Sequence, residues 1–402
     1  MTTPARPPET TSSSMTPLLI GCAILLIVFQ ILGTFVLGMR DRSPDFRSFY
    51  TAGYLLRTDR THLYDMDAQT RVADGKVMPV AMQLYYFHPA YEAVLDVPLS
   101  WLPFKAAYRT FMVLNVLMLI GCVFIGRSAF SRFIPWIQPG LGLSIFFFAP
   151  LLLTVAQGQD SILFLLLVCV CWHELERDRD ANAGVALALA LFRFQLAIPL
   201  AILLILRRGW NFGAAFVATG AVVVASCFAL VGVQGMRDLL LLLRLSGGGS
   251  GSAAQRVQMN LPVSAMANLR GLLSGLGTHT LSPTTAFLVV AIASFAVLAW
   301  SAVLIRRTPS NQVAFAIAAL CAILVSYHMF LYDLTLLILP VVMLAGRVRG
   351  WLIAAAYLAP AVGLLYLGIH SFVIAVVPLV MLFALSSRQS ASASEVDAMQ
   401  LT

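Results

Sequence analysis

Five ionisable side chains, Asp45, Asp160, Arg193, His328 and Asp333, lie within or at the edges of long apolar stretches. A charge at membrane depth is costly, so each is a candidate for function unless a partner explains it. The residue types are suited to group transfer. A carboxylate can take a proton from a hydroxyl. A guanidinium can hold two phosphate oxygens at once, and an imidazole can relay a proton or bind phosphate. Asp45 is the most informative of the five. It follows the apolar run Pro17–Gly38 and opens the aromatic stretch Asp45-Phe46-Arg47-Ser48-Phe49-Tyr50-Thr51-Ala52. Structural alternatives stand beside each role. Asp45 and Asp160 could cap the helices that follow them, Asp333 could pair with an arginine, His328 could bond a carbonyl, and Arg193 could snorkel to an interface.

The elements that must position these groups are membrane helices. The chain of 402 residues is 60% hydrophobic and 11% charged, which excludes a soluble domain. At about 20 residues per crossing, the apolar segments are Pro17–Gly38, Ala106–Gly126, Phe133–Thr154, Ser161–Trp172, Ala183–Leu206, Phe212–Val233, Thr284–Ile305, Gln312–Tyr327, Met329–Gly346, Gly350–Leu367 and Ser371–Leu385. The fold class expected is an all-α polytopic membrane protein. Residues 1–16 and 386–402 read as disordered cytoplasmic tails around one transmembrane domain, 17–385. All six cysteines (Cys22, Cys122, Cys169, Cys171, Cys227 and Cys321) fall in apolar runs, so neither a disulfide framework nor a zinc site is expected.

Arginine pairs orient the segments, because short basic loops stay in the cytoplasm. With the N-terminus inside, Arg127/Arg132 and Arg177/Arg179 fall inside. A single crossing of Ala183–Leu206 would put Arg207/Arg208 outside and invert Arg306/Arg307, Arg347/Arg349 and Arg388. The flaw Arg193-Phe194-Gln195, with Pro199 beyond, suggests a dip and return by two half-length helices. Every arginine cluster is then inside, with Arg193 at the tip. A non-helical turn at that depth needs surrounding protein or a wet cavity. Two long loops, 39–105 and 234–283, fall outside. In the first, Phe46, Phe49, Tyr50, Gly53 and Tyr54 share one face, as in an amphipathic helix on the outer membrane surface. The second holds Ser246-Gly-Gly-Gly-Ser-Gly-Ser252, a linker or lid hinge.

The inner face lacks a P-loop and a GxGxxG after a strand. Asp65-Met66-Asp67 is a weak match to the metal-binding acid pair of soluble nucleotide-sugar enzymes. No cofactor, metal or nucleic acid is expected. A donor met at the outer mouth is more readily a lipid phosphate, which arrives laterally in the bilayer, than a nucleotide made inside.

Several passages resemble one family. Asp45-Phe46 with Phe49-Tyr50-Thr51-Ala52, then His62-Leu63-Tyr64-Asp65, resembles the first outer loop of the family 87 (DUF2029) glycosyltransferases. Tyr85-Tyr86-Phe87-His88-Pro89-Ala90-Tyr91-Glu92-Ala93, then Val97-Pro98-Leu99-Ser100-Trp101-Leu102-Pro103, looks like that family's Tyr-Pro-Pro passage, with Phe87-His88-Pro89 in place of Tyr-Pro-Pro. Gly158-Gln159 before a leucine-rich run is similar to its Gly-Gln helix start. Ala183-Gly184 through Phe192-Arg193 and Pro199 to Arg207-Arg208 is similar to a further element, in which Arg193 stands where the family usually has lysine. Ser326-Tyr327-His328 with Tyr332-Asp333 is a looser likeness. The resemblance runs from about Asp45 to Pro340.

It implies a GT-C-like bundle of about eleven transmembrane segments with amphipathic helices on the outer face. It also implies an inverting transfer from a polyprenyl-phosphate sugar, with mannose the first candidate, to a lipid- or glycan-type acceptor. The site would face the periplasm or exterior of the cytoplasmic membrane. On this expectation Asp45 is the base, Arg193 binds the leaving phosphate, and His328 relays a proton or binds phosphate, oriented by Asp333. Gln159 and Asp160 hold sugar hydroxyls. Tyr50, Tyr86 and His88 line an acceptor groove, and Asn260 and Arg270 close over the substrates. Two rival classes remain: a transporter or lipid flippase using an intramembrane Asp/His/Arg relay, and a non-catalytic assembly partner, for which Asp45→Asn would leave function intact.

Overall fold

The computed structural model describes residues 45–77, 84–126, 148–246, 263–365 and 371–387, and every regular element among them is helical. Among the described residues, three helices are long and apolar enough to cross a membrane: Phe104–Ile125, Trp210–Leu245 and Pro283–Arg307. At 1.5 Å per residue the shortest is roughly 33 Å long, a match to a hydrocarbon layer about 30 Å thick. Their ends follow from the sequence. Pro283 occupies the first turn, where a missing N–H costs nothing, and Ser282 caps Thr285 N–H at 3.2 Å. Arg306 and Arg307 close the last turn, where the helix dipole favours cations. Leu117, Phe124, Ile292 and Phe295 stand exposed, as expected of surfaces that face lipid.

The centre of the bundle is Asn311–Val325, in which Ala314 through Leu324 are all buried. A helix that is apolar all round belongs inside. Its alanines 314, 316, 318, 319 and 322 let neighbouring backbones approach closely. Other expected crossings are shorter apolar helices of 10–17 residues: Ser161–Leu175, Leu331–Leu344, Gly350–Gly363 and Ser371–Ser387. Pro17–Gly38, residues 133–147, the tail 1–16 and residues 388–402 lie outside the described residues.

Ala183–Leu206 is broken where Arg193 suggested. Helix Asp180–Leu189 and helix Phe194–Arg208 flank a 3-10 turn, Leu191–Arg193, and the axes are bent by 64°. Arg208, at the end of the second half, donates to Asp180 and Asp178 at 2.7 Å each. Those acids stand at the start of the first half, so the segment comes back to where it began.

The described parts of the long loop, 45–77 and 84–105, are mostly helical turns. Helix Phe46–Thr58 forms as the aromatic spacing suggested, but its apolar face is packed within protein instead of lying open to lipid. Phe46 stacks on Phe104 and Phe111, and Phe49 meets Tyr86 and His88 edge-on. The second loop departs from expectation at its start. The helix from Trp210 breaks at Gly232 (φ 71°), then continues to Ser246. A positive φ suits glycine because it has no Cβ. Residues 247–262, which include most of the linker and Asn260, lie outside the described residues.

Candidate active site

The site is built around a turn between two helices. Helix Ala149–Gln157 ends at Gly158 in the left-handed conformation (φ 64°). A Cβ here would be strained, and it would also come within 2.7 Å of the Phe46 Cβ. Glycine therefore lets the chain turn tightly against the start of helix Phe46–Thr58, and this brings Gln159 beside Asp45.

Asp45 does not cap that helix with its side chain. Its Oδ2 instead accepts from Gln159 Nε2 at 2.6 Å, and its backbone N–H reaches Gln157 Oε1 at 3.3 Å. The other end of Gln159 accepts from an Arg193 Nη2–H at 2.9 Å. Asp45 and Arg193 therefore belong to one polar network, joined by a carboxamide expected to hold sugar hydroxyls.

Arg193 is buried, and its fork is taken up by two acids. Nη2 also donates to Asp160 Oδ1, and Nη1 donates to Asp333 Oδ1. The Tyr332 ring lies 5.6 Å from its Cζ. Arg193 was expected to bind phosphate; here its two terminal nitrogens face carboxylates, which take up its charge. Asp160 likewise makes no side-chain cap to the helix it precedes. Asp333 does not orient His328. Its Oδ1 also accepts from Ser161 Oγ at 3.1 Å, and its Oδ2 accepts the Phe330 N–H at 2.9 Å.

A second group adjoins Asp160. His88 Nδ1 lies 2.8 Å from Glu92 Oε2 and 3.5 Å from Asp160 Oδ2. Burial pushes Glu92 up to about 8, against the pull of His88. Burial alone would push His88 down, but Glu92 and Asp160 raise it to about 10. Sequence reasoning missed Glu92 as a site residue; the signal was its position four residues after His88.

Tyr50 and Tyr86 were expected to line an acceptor groove. Both are buried, and their hydroxyls donate to Leu102 O (2.8 Å) and Pro89 O (3.1 Å). His88 stacks on Tyr86, so it faces this aromatic packing and Asp160.

A cleft of about 180 Å³ opens beside Asp45, lined also by Leu153, Gln157, Ala265, Phe330, Tyr332 and Ser371. Gln157 and Tyr332 joined the site only through the fold. His328 sits nearby between the Phe87 and Phe330 rings, with Nε2 buried and without a hydrogen-bond partner. Burial, then Arg270 and Arg193, lower its pKa to about 3, so at neutral pH it is uncharged. It therefore carries no charge to set against a phosphate. Arg270, in helix Leu269–Gly275, lies 4.1 Å over the Tyr327 ring and donates to Tyr327 O at 3.3 Å. It has no carboxylate partner among the described residues. A larger cavity, about 550 Å³, lies at the opposite ends of helices Ser161–Leu175, Phe194–Arg208 and Asn311–Val325. Its Arg207 and Arg208 are engaged by backbone carbonyls, Asn311, Asp178 and Asp180.

A family model described as glycosyltransferase family 87 matches residues 86–332. No curated protein and no solved structure matches. The matched stretch includes His88, Glu92, Gln159, Asp160, Arg193, Arg270 and His328, while Asp45 lies before it. Well over half of the chain thus fits one family, and its helices suit a bilayer: the chain belongs to glycosyltransferase family 87 and is a membrane glycosyltransferase.

Proposed function

We propose that this protein moves a sugar, mannose first among the candidates, from a polyprenyl-phosphate donor to a lipid- or glycan-type acceptor at the outer face of the cytoplasmic membrane. Asp45 takes the proton from the acceptor hydroxyl. That oxygen forms the new bond to the anomeric carbon while the bond to the phosphate oxygen breaks, and polyprenyl phosphate leaves. One displacement inverts the centre and needs one base. Gln159 holds Asp45 in place, and the Asp160–Arg193–Asp333 group holds Gln159. Arg270 supplies positive charge for the leaving phosphate, and the neutral His328 ring lies beside Arg270.

The observation that carries this reading is the Asp45 carboxylate, left unused by the helix it precedes, held by Gln159 at 2.6 Å on the wall of a cleft. A carboxylate fixed by a side chain that is itself fixed is preorganised for proton transfer. The deciding experiment is an assay of the purified protein with radiolabelled polyprenyl-phosphate sugars. Asp45→Asn is expected to abolish transfer while insertion and donor binding persist. Retained turnover removes the base assignment, and failure of every polyprenyl-phosphate sugar removes the donor class. A transporter relay is the weaker reading, because both terminal nitrogens of Arg193 are engaged by buried acids.

A further inference from the structure

The proton and phosphate chemistry above leaves one cluster without a task. A ligand atom from each of His88, Glu92 and Asp160 lies within 4.8 Å of the others. His88 Nδ1 is 2.8 Å from Glu92 Oε2 and 3.5 Å from Asp160 Oδ2. Glu92 and Asp160 are only 2% and 3% exposed. Even so, Glu92 Oε1 and Asp160 Oδ2 accept no hydrogen bond. A buried carboxylate oxygen without a donor is costly, and native structures seldom leave one unmatched.

The local charge balance points the same way. Arg193 already faces Asp160 and Asp333, so it does not also serve Glu92. The acid Asp96, in the turn after Glu92, is buried as well. Ligand atoms bound about 2.1 Å from a first-row cation stand roughly 3 Å apart when adjacent. The observed His88 spacings lie on either side of that value, so a small inward shift suffices. Two ligands are set four residues apart across the short helix Ala90–Ala93, and the third precedes helix Ser161–Leu175, so rigid elements hold all three.

We infer that His88, Glu92 and Asp160 form a binding site for a divalent first-row cation of the Zn²⁺ or Mn²⁺ kind, although the residues in sequence suggested no metal. One imidazole nitrogen with two carboxylates is a mixed donor set that suits these ions. It suits Ca²⁺ and Mg²⁺ less, since they favour all-oxygen shells, and it lacks the thiolates of copper(I) sites. The ion takes the place of the proton that His88 holds between the two acids and gives their unmatched oxygens a partner. It pins Asp160, and through Arg193 and Gln159 it steadies Asp45. This is a positioning role, and it does not depend on which sugar or acceptor is used.

The test is metal analysis of the full chain purified in detergent, by elemental mass spectrometry, before and after a strong chelator. The expected result is a near-stoichiometric amount of zinc or manganese. Chelation removes it and lowers the melting temperature, and Zn²⁺ or Mn²⁺ alone restores it. Glu92→Gln, which keeps the shape, is expected to weaken Zn²⁺ and Mn²⁺ binding on the order of 100-fold. Folded wild-type protein without metal that also fails to bind added Zn²⁺ or Mn²⁺ overturns the inference, and leaves a shared proton as what fills the cluster. Unchanged metal content in folded Glu92→Gln overturns it too. If that variant does not fold, the wild-type chelation experiment decides alone.

Discussion

Asp45 and Arg193 share the two ends of one side chain: Gln159 donates to the carboxylate at 2.6 Å and accepts from the guanidinium at 2.9 Å. The residue that opens the first described helix and the residue at the break in a folded-back segment are thereby held in fixed relation. A base whose orientation depends on a single carboxamide is sensitive to that carboxamide.

Gln159→Leu keeps the volume and removes both hydrogen bonds. Turnover is expected to fall about 10- to 100-fold, as for loss of other groups that orient a reacting side chain. Gln159→Glu is expected to be worse, because it sets a second carboxylate against Asp45. Steady-state kinetics with a fixed donor measure both. Turnover equal to wild type in Gln159→Leu would show that Asp45 needs no such support.

Arg193→Met leaves Asp160 and Asp333 buried without their cation. The expected cost is about 3–5 kcal/mol of stability, read as a lower unfolding midpoint in detergent. Arg193→Lys is expected to be milder in charge but unable to fork to both acids. If Arg193→Met instead kept its midpoint and only raised KM for the donor, a direct phosphate role would return.

Arg270 lies at the surface of the site and over an aromatic ring, so Arg270→Gln is expected to cost about 1 kcal/mol of stability or less. Transfer from the lipid-phosphate donor should fall roughly 100- to 1,000-fold if its charge meets the leaving group. Parallel melting curves and kcat/KM separate the two effects.

His328 makes a prediction about pH. Its folded pKa is lowered from 6.5 to about 3, so the unfolded chain takes up the proton first as acid is added. Its contribution to stability is complete above about pH 6.5 and is lost as pH falls toward 3. His328→Asn is expected to flatten the fall in melting temperature across that window. Curves that coincide for the variant and wild type would show that the ring titrates alike in the folded and unfolded chain.

Residues close in sequence were the easiest to read. The break at Arg193 and the helix after Asp45 both left local marks: a polar flaw in an apolar run and an aromatic period. The settings of Tyr50 and Tyr86 were not legible, for the opposite reason. An aromatic with a hydroxyl looks the same in sequence whether it lines a groove or gives that hydroxyl to a backbone carbonyl inside a core, and here both do the latter. Asp333 was legible as an acid needing an arginine, but not as the partner of Arg193 in particular.

The composition alone required a membrane protein, since so many apolar residues have no soluble interior large enough to hold them. The order of residues also set an acid, Asp45, just after a long apolar run. Only the packed chain decided which charges cancel. Electrostatic pairing depends on distances of a few ångströms between segments far apart in sequence, and helix packing, which sets those distances, leaves no period or spacing to read. That is why Arg193 could be recognised as important from its neighbours in the chain, while its two acids, its link to Asp45 and the unmatched oxygens of Glu92 and Asp160 came from the tertiary structure.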